Sequence, residues 1–265
     1  MHNQPLVIKE AIKLKNFKPG YTGKLDKETA KVETNELTLR IGELQELLYA
    51  NSSHALLLIF QGMDASGKDG AVRRVLQHVN PAGVETSSFK VPSSEERAHD
   101  FLWRIHKAVP RYGDIGVFNR SHYEAILAER VLKIAPKKIW KRRYSQIVDF
   151  ERMLVENRVV VLKFFLYISK KEQAERLTDR LVNPSKNWKF AESDLETRRL
   201  WDEYQKAYQD MVNETSHEAA RWHLVPGDHN WYRDHVIASV TAKALEELAL
   251  KWPKPKIDLS KIKIK

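Results

Sequence analysis

Apolar runs with no polar alternation recur along the chain at residues 55–61 (ALLLIFQ), 115–118 (IGVF) and 159–168 (VVVLKFFLYI), with a last one near 222–225 (WHLV). Such runs are what strands covered on both faces require, so they predict a parallel sheet. Between them apolar residues return at helical spacing. Leu37, Ile41, Leu44 and Leu48 mark a helix over 32–48, and Val72, Val75, Leu76 and Val79 mark another that ends at Asn80-Pro81. Residues 95–109 place Ala98, Phe101, Leu102, Ile105 and Val109 on one face and leave Arg104 off it. Further helices are predicted through Ala174, Leu177 and Leu181, through Trp201, Tyr204, Tyr208 and Met211, and over about 231–252. Strands alternating with helices predict an α/β fold, a parallel β-sheet flanked by α-helices.

The length of 265 residues admits one α/β domain with appended helices or two domains. The opening stretch is basic and broken by Pro19, Gly20 and Gly23, which predicts an N-terminal extended arm over 1–31. The main domain then spans 32–252, and 253–265 form a basic C-terminal tail.

The loop between the first predicted strand and its helix reads GMDASGKDG, residues 62–70. Gly62, Gly67 and Lys68 have the G-x-x-x-x-G-K spacing of a phosphate-binding loop, yet Asp69 stands where Ser or Thr normally holds a metal. Glycines let backbone approach phosphate oxygens, and successive N–H groups at Gly62, Ala65, Ser66, Gly67, Asp69 and Gly70 can form an anion nest at a helix N-terminus. Lys68 adds a point charge toward a transferring phosphoryl group. Asp64, inside the loop, is either a Mg²⁺ ligand, since a carboxylate facing phosphate needs an intervening cation, or a helix N-cap. Asp69 complements the helix dipole first and a metal second.

Two more segments carry chemistry. GVFNRSHYE, residues 116–124, is an apolar strand running into a polar cluster, which places Asn119, Arg120 and Glu124 at the carboxyl edge of the sheet, where open α/β folds bind ligands. Arg120 is positioned to neutralise transition-state charge, and Glu124 either accepts from a substrate or complements the next helix. In RLTDRLVNPSKNWKF, residues 176–190, Arg176 and Arg180 share the polar helix face, Asn183-Pro184 ends the helix, and Lys186, Trp188 and Lys189 form a basic loop. That segment reads either as a lid closing over an anion, about 176–192, or as a solvated basic helix end. Arg198 and Arg199 are further candidates for the anion path, whereas the stripe from Trp201 to Met211 reads as core.

Charge sharpens this picture: 45 Lys and Arg against 35 Asp and Glu give a formal +10, with a pI near 9.5, so the expected partner is an anion. Nucleic acid, other phosphate polymers and nucleotides all satisfy that electrostatics. A mean hydropathy of -0.52, no run of membrane-spanning length and no signal-peptide pattern predict a soluble protein, with no membrane partner. The absence of cysteine excludes disulfides, thiolate catalysis and Cys-based zinc sites, and a cytoplasmic location is the default. None of the ten histidines sits in a zinc-binding spacing.

GMDASGKDG, FKVPSSEERAHDFLWRIHKAVPRYGDIGVFNRSHYE, DRLVNPSKNWKF and SDLETRRLWDEYQKAY, in this order, resemble the polyphosphate kinase 2 family, in its class III branch, from about residue 17 to 250. The resemblance implies a P-loop kinase fold of thymidylate-kinase type with a helical lid, and phosphoryl transfer between inorganic polyphosphate and adenine or guanine nucleotides with Mg²⁺ as cofactor. It implies that Asp64 and Lys68 are essential. For an in-line transfer of this kind, Lys68, Arg120 and Mg²⁺ at Asp64 are the groups expected to stabilise the transferring phosphoryl, which makes Arg120 a catalytic candidate and Asp64 the metal candidate. Basic residues of the lid, here Arg176, Arg180, Lys186 and Lys189, joined by Arg104 and Arg198, would line the polymer path. Asn119, where branches restricted to nucleoside diphosphates carry Asp, pairs in class III with a glutamate matching Glu124, which implies use of both AMP and ADP. No nucleic acid is expected as partner, and a homodimer or homotetramer is. An ATP-dependent nucleoside monophosphate kinase is the nearest alternative, because it shares the fold and the loop; a nucleic-acid-binding protein is a more distant one.

Overall fold

The computed structural model describes residues 6–264. The first five residues of the predicted arm and the last residue of the tail lie outside them. The elements in chain order are β1 (Leu6–Val7), α1 (Lys27–Asn51), β2 (Ala55–Gln61), α2 (Lys68–Val75), β3 (Val84–Ser88), α3 (Ser94–Ala98), α4 (Trp103–His106), β4 (Ile115–Asn119), α5 (Ala128–Val131), α6 (Lys137–Glu156), β5 (Val159–Tyr167), α7 (Lys170–Val182), α8 (Glu192–Arg199), α9 (Trp201–Thr215), β6 (Trp222–Pro226) and α10 (Asn230–Glu247). The sheet order is β1-β6-β5-β2-β4-β3. Only β1 is antiparallel, which leaves a five-stranded parallel sheet.

The uninterrupted apolar runs are explained by this layering. In β2, Ala55, Leu57 and Ile59 pack into one core with Ile147, Phe150 and Leu154 of α6 and Tyr204, Tyr208 and Met211 of α9. Leu56, Leu58 and Phe60 alternate into a second core with Ile41, Leu44 and Leu48 of α1, Ala71 and Val75 of α2, and Val236 and Ile237 of α10. Both faces of the strand are dry, so neither set of alternate positions is polar. The aromatic stripe of α9 is core, as its spacing predicts.

Several boundaries differ from expectation. Helix α1 begins at Lys27, inside the predicted arm, because Asp26 caps it by accepting from the N–H groups of Glu28 and Thr29 at 3.0 and 2.9 Å. The predicted helix over 95–109 is two short helices. Asp100 interrupts it, its carboxylate accepting from Leu102 N–H at 2.9 Å to start α4. Strand β3 was not anticipated: VETSS is polar and only partly buried, as an edge strand permits. The last helix stops at Glu247, and Trp252 is exposed. Among the described residues, no helix is long and apolar enough to cross a membrane.

A Cβ on Gly116, in the middle of β4, would lie 2.7 Å from the Pro110 ring. Gly116→Ala is therefore expected to lower the unfolding free energy by about 1–3 kcal/mol through overpacking, measured by urea denaturation. An unchanged midpoint would show that Pro110 yields without cost.

Candidate active site

At the carboxyl end of β2 the chain turns through Ala65 (φ 63°) and Gly67 (φ 93°), both left-handed, and enters α2. A Cβ at Gly67 would overlap the guanidinium of Arg233, so this glycine serves close approach as well as conformation. Lys68, the first residue of α2, is 8% exposed, and its ammonium folds back to donate to the carbonyls of Gly62 at 2.8 Å and Met63 at 3.2 Å. Burial, then the positive charge of Arg120, lowers its pKa to about 8 against the opposing pull of Asp64, Glu124 and Asp69.

Asp64 is not a helix cap, since Gly67 holds that position; its carboxylate pairs with the Arg120 guanidinium. Arg120 directly follows β4, has φ 62°, and continues the β2–β4 ladder by donating its N–H to Phe60 O at 3.1 Å. Burial pulls the Arg120 pKa down, but the carboxylates of Glu124 and Asp64 outweigh it and hold the guanidinium charged. The Asn119 amide donates to the Asp69 carboxylate, which ties the end of β4 to the first turn of α2. Asp69 thus does more than the dipole role expected of it. Glu124 sits in the 3₁₀ turn His122–Ala125. Burial raises its pKa, with Arg120 and Lys68 opposing. Gln61, turned so that its oxygen accepts from Ser121, donates to Glu124 at 3.2 Å. Lys68, Arg120, Asp64 and Glu124 accordingly form one interacting group of charges at the sheet edge.

Beside it opens a cleft of about 690 Å³. It is lined by Lys68, Arg73, Arg74, Arg176, Arg180, Lys186, Lys189 and Arg233, against the carboxylates of Asp69, Asp179 and Asp234. The lining also includes Ala65, Gly67 and Gly70 of the loop, with Gln77 and Asn230, and contains no aromatic side chain. Arg176 acts as a clamp: it donates to the carbonyls of Ala65 (3.1 Å), Ser66 (2.9 Å) and Gly227 (2.7 Å) and pairs with Glu172 at 2.7 Å. Arg180 pairs with Asp194 at 2.8 Å and Lys186 with Asp179 at 2.5 Å, while Lys189 is exposed. Leu181, expected to share the apolar face of α7 with Leu177, is 55% exposed, since the burial of this helix ends at Leu177.

Arg104 and Arg198 are not among the residues that line this cleft. Arg104 donates to Lys90 O at 2.9 Å and rests over the Phe89 ring; Arg198 donates to Lys170 O at 2.8 Å and Gln173 Oε1 at 2.9 Å. Sequence reasoning missed Arg73, Arg74 and Arg233. The first two carry a signal, being basic residues on α2 flanked by the core positions Ala71 and Val75; Arg233 comes to the loop from the far end of the chain and has none. Among the described residues no group of three or more His, Asp or Glu side chains is placed to hold a metal. A Mg²⁺ ion takes one or two carboxylates and fills the rest of its shell with phosphate oxygens and water. The loop carboxylates that could hold it are Asp64, paired here with Arg120, and Asp69, which accepts from Asn119.

The sequence profile described as Polyphosphate kinase 2 matches residues 24–252. A Meiothermus ruber protein named AMP/ADP-polyphosphate phosphotransferase is 47% identical over 95% of this chain and 95% of its own. A Rhodopseudomonas palustris protein named ADP-polyphosphate phosphotransferase is 44% identical over 81% of this chain and 78% of its own. The crystal structure of polyphosphate kinase 2 from Arthrobacter aurescens TC1 superposes with a TM-score of 0.93 at 40% identity, covering 96% of this chain and 92% of that one.

Lys68 yields a pH prediction. Its protonated form, the one that attracts an anion, is present below about pH 8 and lost above it. Tripolyphosphate affinity, measured by calorimetry, is expected to weaken above that point, approaching about tenfold per pH unit, with proton uptake on binding. In Lys68→Met this dependence disappears; a flat profile in the unaltered protein would contradict the assignment.

Proposed function

The chain belongs to the polyphosphate kinase 2 family and has a P-loop kinase fold, and from that premise we propose that it is a class III member transferring the terminal phosphoryl group of inorganic polyphosphate to AMP, giving ADP, and to ADP, giving ATP. It is a phosphotransferase, as its relatives are. The observation that carries the donor assignment is the cleft beside Lys68. It offers a track of cations and no aromatic side chain, which suits an unbranched polyanion better than an adenine ring. That speaks against the alternative of an ATP-dependent nucleoside monophosphate kinase.

In this reading the polymer enters the cleft with its terminal phosphate at the loop N–H groups of α2. Lys68 leaves the carbonyls of Gly62 and Met63 for a phosphate oxygen. Arg120, paired with the loop carboxylate Asp64, meets the charge that spreads over the transferring group as the P–O bond to the polymer breaks and the bond to the nucleotide oxygen forms. Nucleophile and leaving group are both anionic phosphate oxygens, so no strong base is required, and positioning with charge neutralisation supplies the rate. Asn119 and Glu124, at the end of β4 and in the turn after it, hold the acceptor nucleotide. Mg²⁺ held by Asp64 would supply further neutralisation of the phosphate charge. Transfer in the reverse direction uses the same groups.

Incubating the protein with AMP and Mg²⁺, and with either polyphosphate or ATP as donor, tests this directly. ADP followed by ATP is expected with polyphosphate only, and transfer from ATP alone would overturn the donor assignment. Asp64→Ala and Lys68→Ala are each expected to lower the rate by about a hundredfold or more while leaving the melting temperature within a few degrees. Full activity in either would remove that residue from the mechanism.

A further inference from the structure

Strand β5 carries one residue that its dry position does not explain. Lys163 is fully buried between apolar neighbours, with its ammonium 5.2 Å from the centre of the Trp222 ring. Its partner is Glu151 of α6, also fully buried, at 2.6 Å. The Glu151 carboxylate accepts in addition from the Tyr123 hydroxyl at 2.7 Å and sits 3.2 Å from His122 Nε2 and 2.9 Å from His217 Nε2. Lys163 donates to the Tyr123 hydroxyl at 3.0 Å and to Thr215 O at 2.7 Å. Burial raises the Glu151 pKa, but Lys163 and the two histidines overcome it and hold the carboxylate ionised.

A pair withdrawn this completely from water is a poor source of stability, because desolvation cancels much of the Coulomb attraction. What it supplies is one geometry, and two of the groups it fixes, His122 and Tyr123, lie immediately beyond Arg120-Ser121. Arg120 itself is held at a positive φ, a conformation that costs a non-glycine residue free energy unless its surroundings impose it. On one side the β2–β4 ladder fixes its N–H; on the other, His122 and Tyr123 are pinned to Glu151.

We propose that the buried Glu151–Lys163 pair is a positioning device for Arg120, acting through His122 and Tyr123 to hold that guanidinium over Asp64. Glu151, Lys163, His122 and Tyr123 are positioning residues, since none of them faces the cleft. The proposal rests on the phosphotransfer reading for its kinetic arm alone.

Tyr123→Phe tests it, since it removes the shared hydroxyl and leaves the ion pair, the ring and the two histidines in place. Its kcat is expected to fall on the order of tenfold, with KM for polyphosphate and AMP within about twofold. In an Arg120→Ala background the same substitution should leave the residual rate unchanged. His122→Gln, whose amide still donates to Glu151, should retain more activity than His122→Ala. A readout independent of turnover is ¹⁵N NMR of the Arg120 guanidinium, whose slow-exchanging signal should broaden in Tyr123→Phe while that of Arg176 does not change. An unperturbed Arg120 signal, or an equal loss of rate with and without Arg120, would overturn the proposal. Absence of phosphotransfer in the unaltered protein would instead overturn the functional reading and leave the NMR outcome to decide this one.

Discussion

The parallel pairing of β2 with β4 is the constraint on which the site depends. It runs from Leu56 opposite Ile115 to Phe60 opposite Asn119, and the Arg120 N–H adds one more bond to Phe60 O. Parallel strands end at the same edge, so the loop after Gln61 and the turn after Asn119 are forced to be neighbours. Two contacts between side chains then lock them, Arg120 to Asp64 and Asn119 to Asp69. The dry packing of both sheet faces is what makes that edge rigid, because neither strand can slip without turning apolar side chains toward the wrong layer.

On this frame the charges are paired within the protein. Lys68 is bonded to loop carbonyls, Arg120 to Asp64, Arg180 to Asp194 and Lys186 to Asp179. Each of these cations is neutralised or hydrogen-bonded by an internal partner. Arg176 differs: it braces the loop carbonyls of Ala65 and Ser66 from α7, so that helix and the loop after β2 are joined. The cationic cleft is lined by residues of α2 and α10 together with α7 and the loop that follows it.

Much of this was legible in the chain because it rests on local rules. Strands dry on both faces announce themselves as runs such as ALLLIFQ, and the loop motif has a fixed spacing between a strand and a helix. The polar cluster after β4 follows from the strand ending there. What escaped depends on distant packing. Edge strand β3 has no apolar pattern because one side of it has no neighbour to bury against. Arg233 reaches Gly67 across 166 positions of sequence, and only the Cβ-free approach at that glycine reveals it. Lys163 was visible as a lone lysine inside VVVLKFFLY, an anomaly that points to a buried counter-charge, but nothing local names Glu151 as the partner.

In the proposed function, the cleft bounded by α2 and α10 receives a linear chain of phosphates whose end lies at Lys68. A crystal structure of the protein with a short polyphosphate tests this most directly. A continuous file of phosphates is expected from the N–H groups at Gly67 and Lys68 outward between Arg73, Arg74, Lys186 and Lys189. A polyphosphate bound away from the loop, or a nucleotide base occupying that cleft while the polymer lies elsewhere, would contradict it.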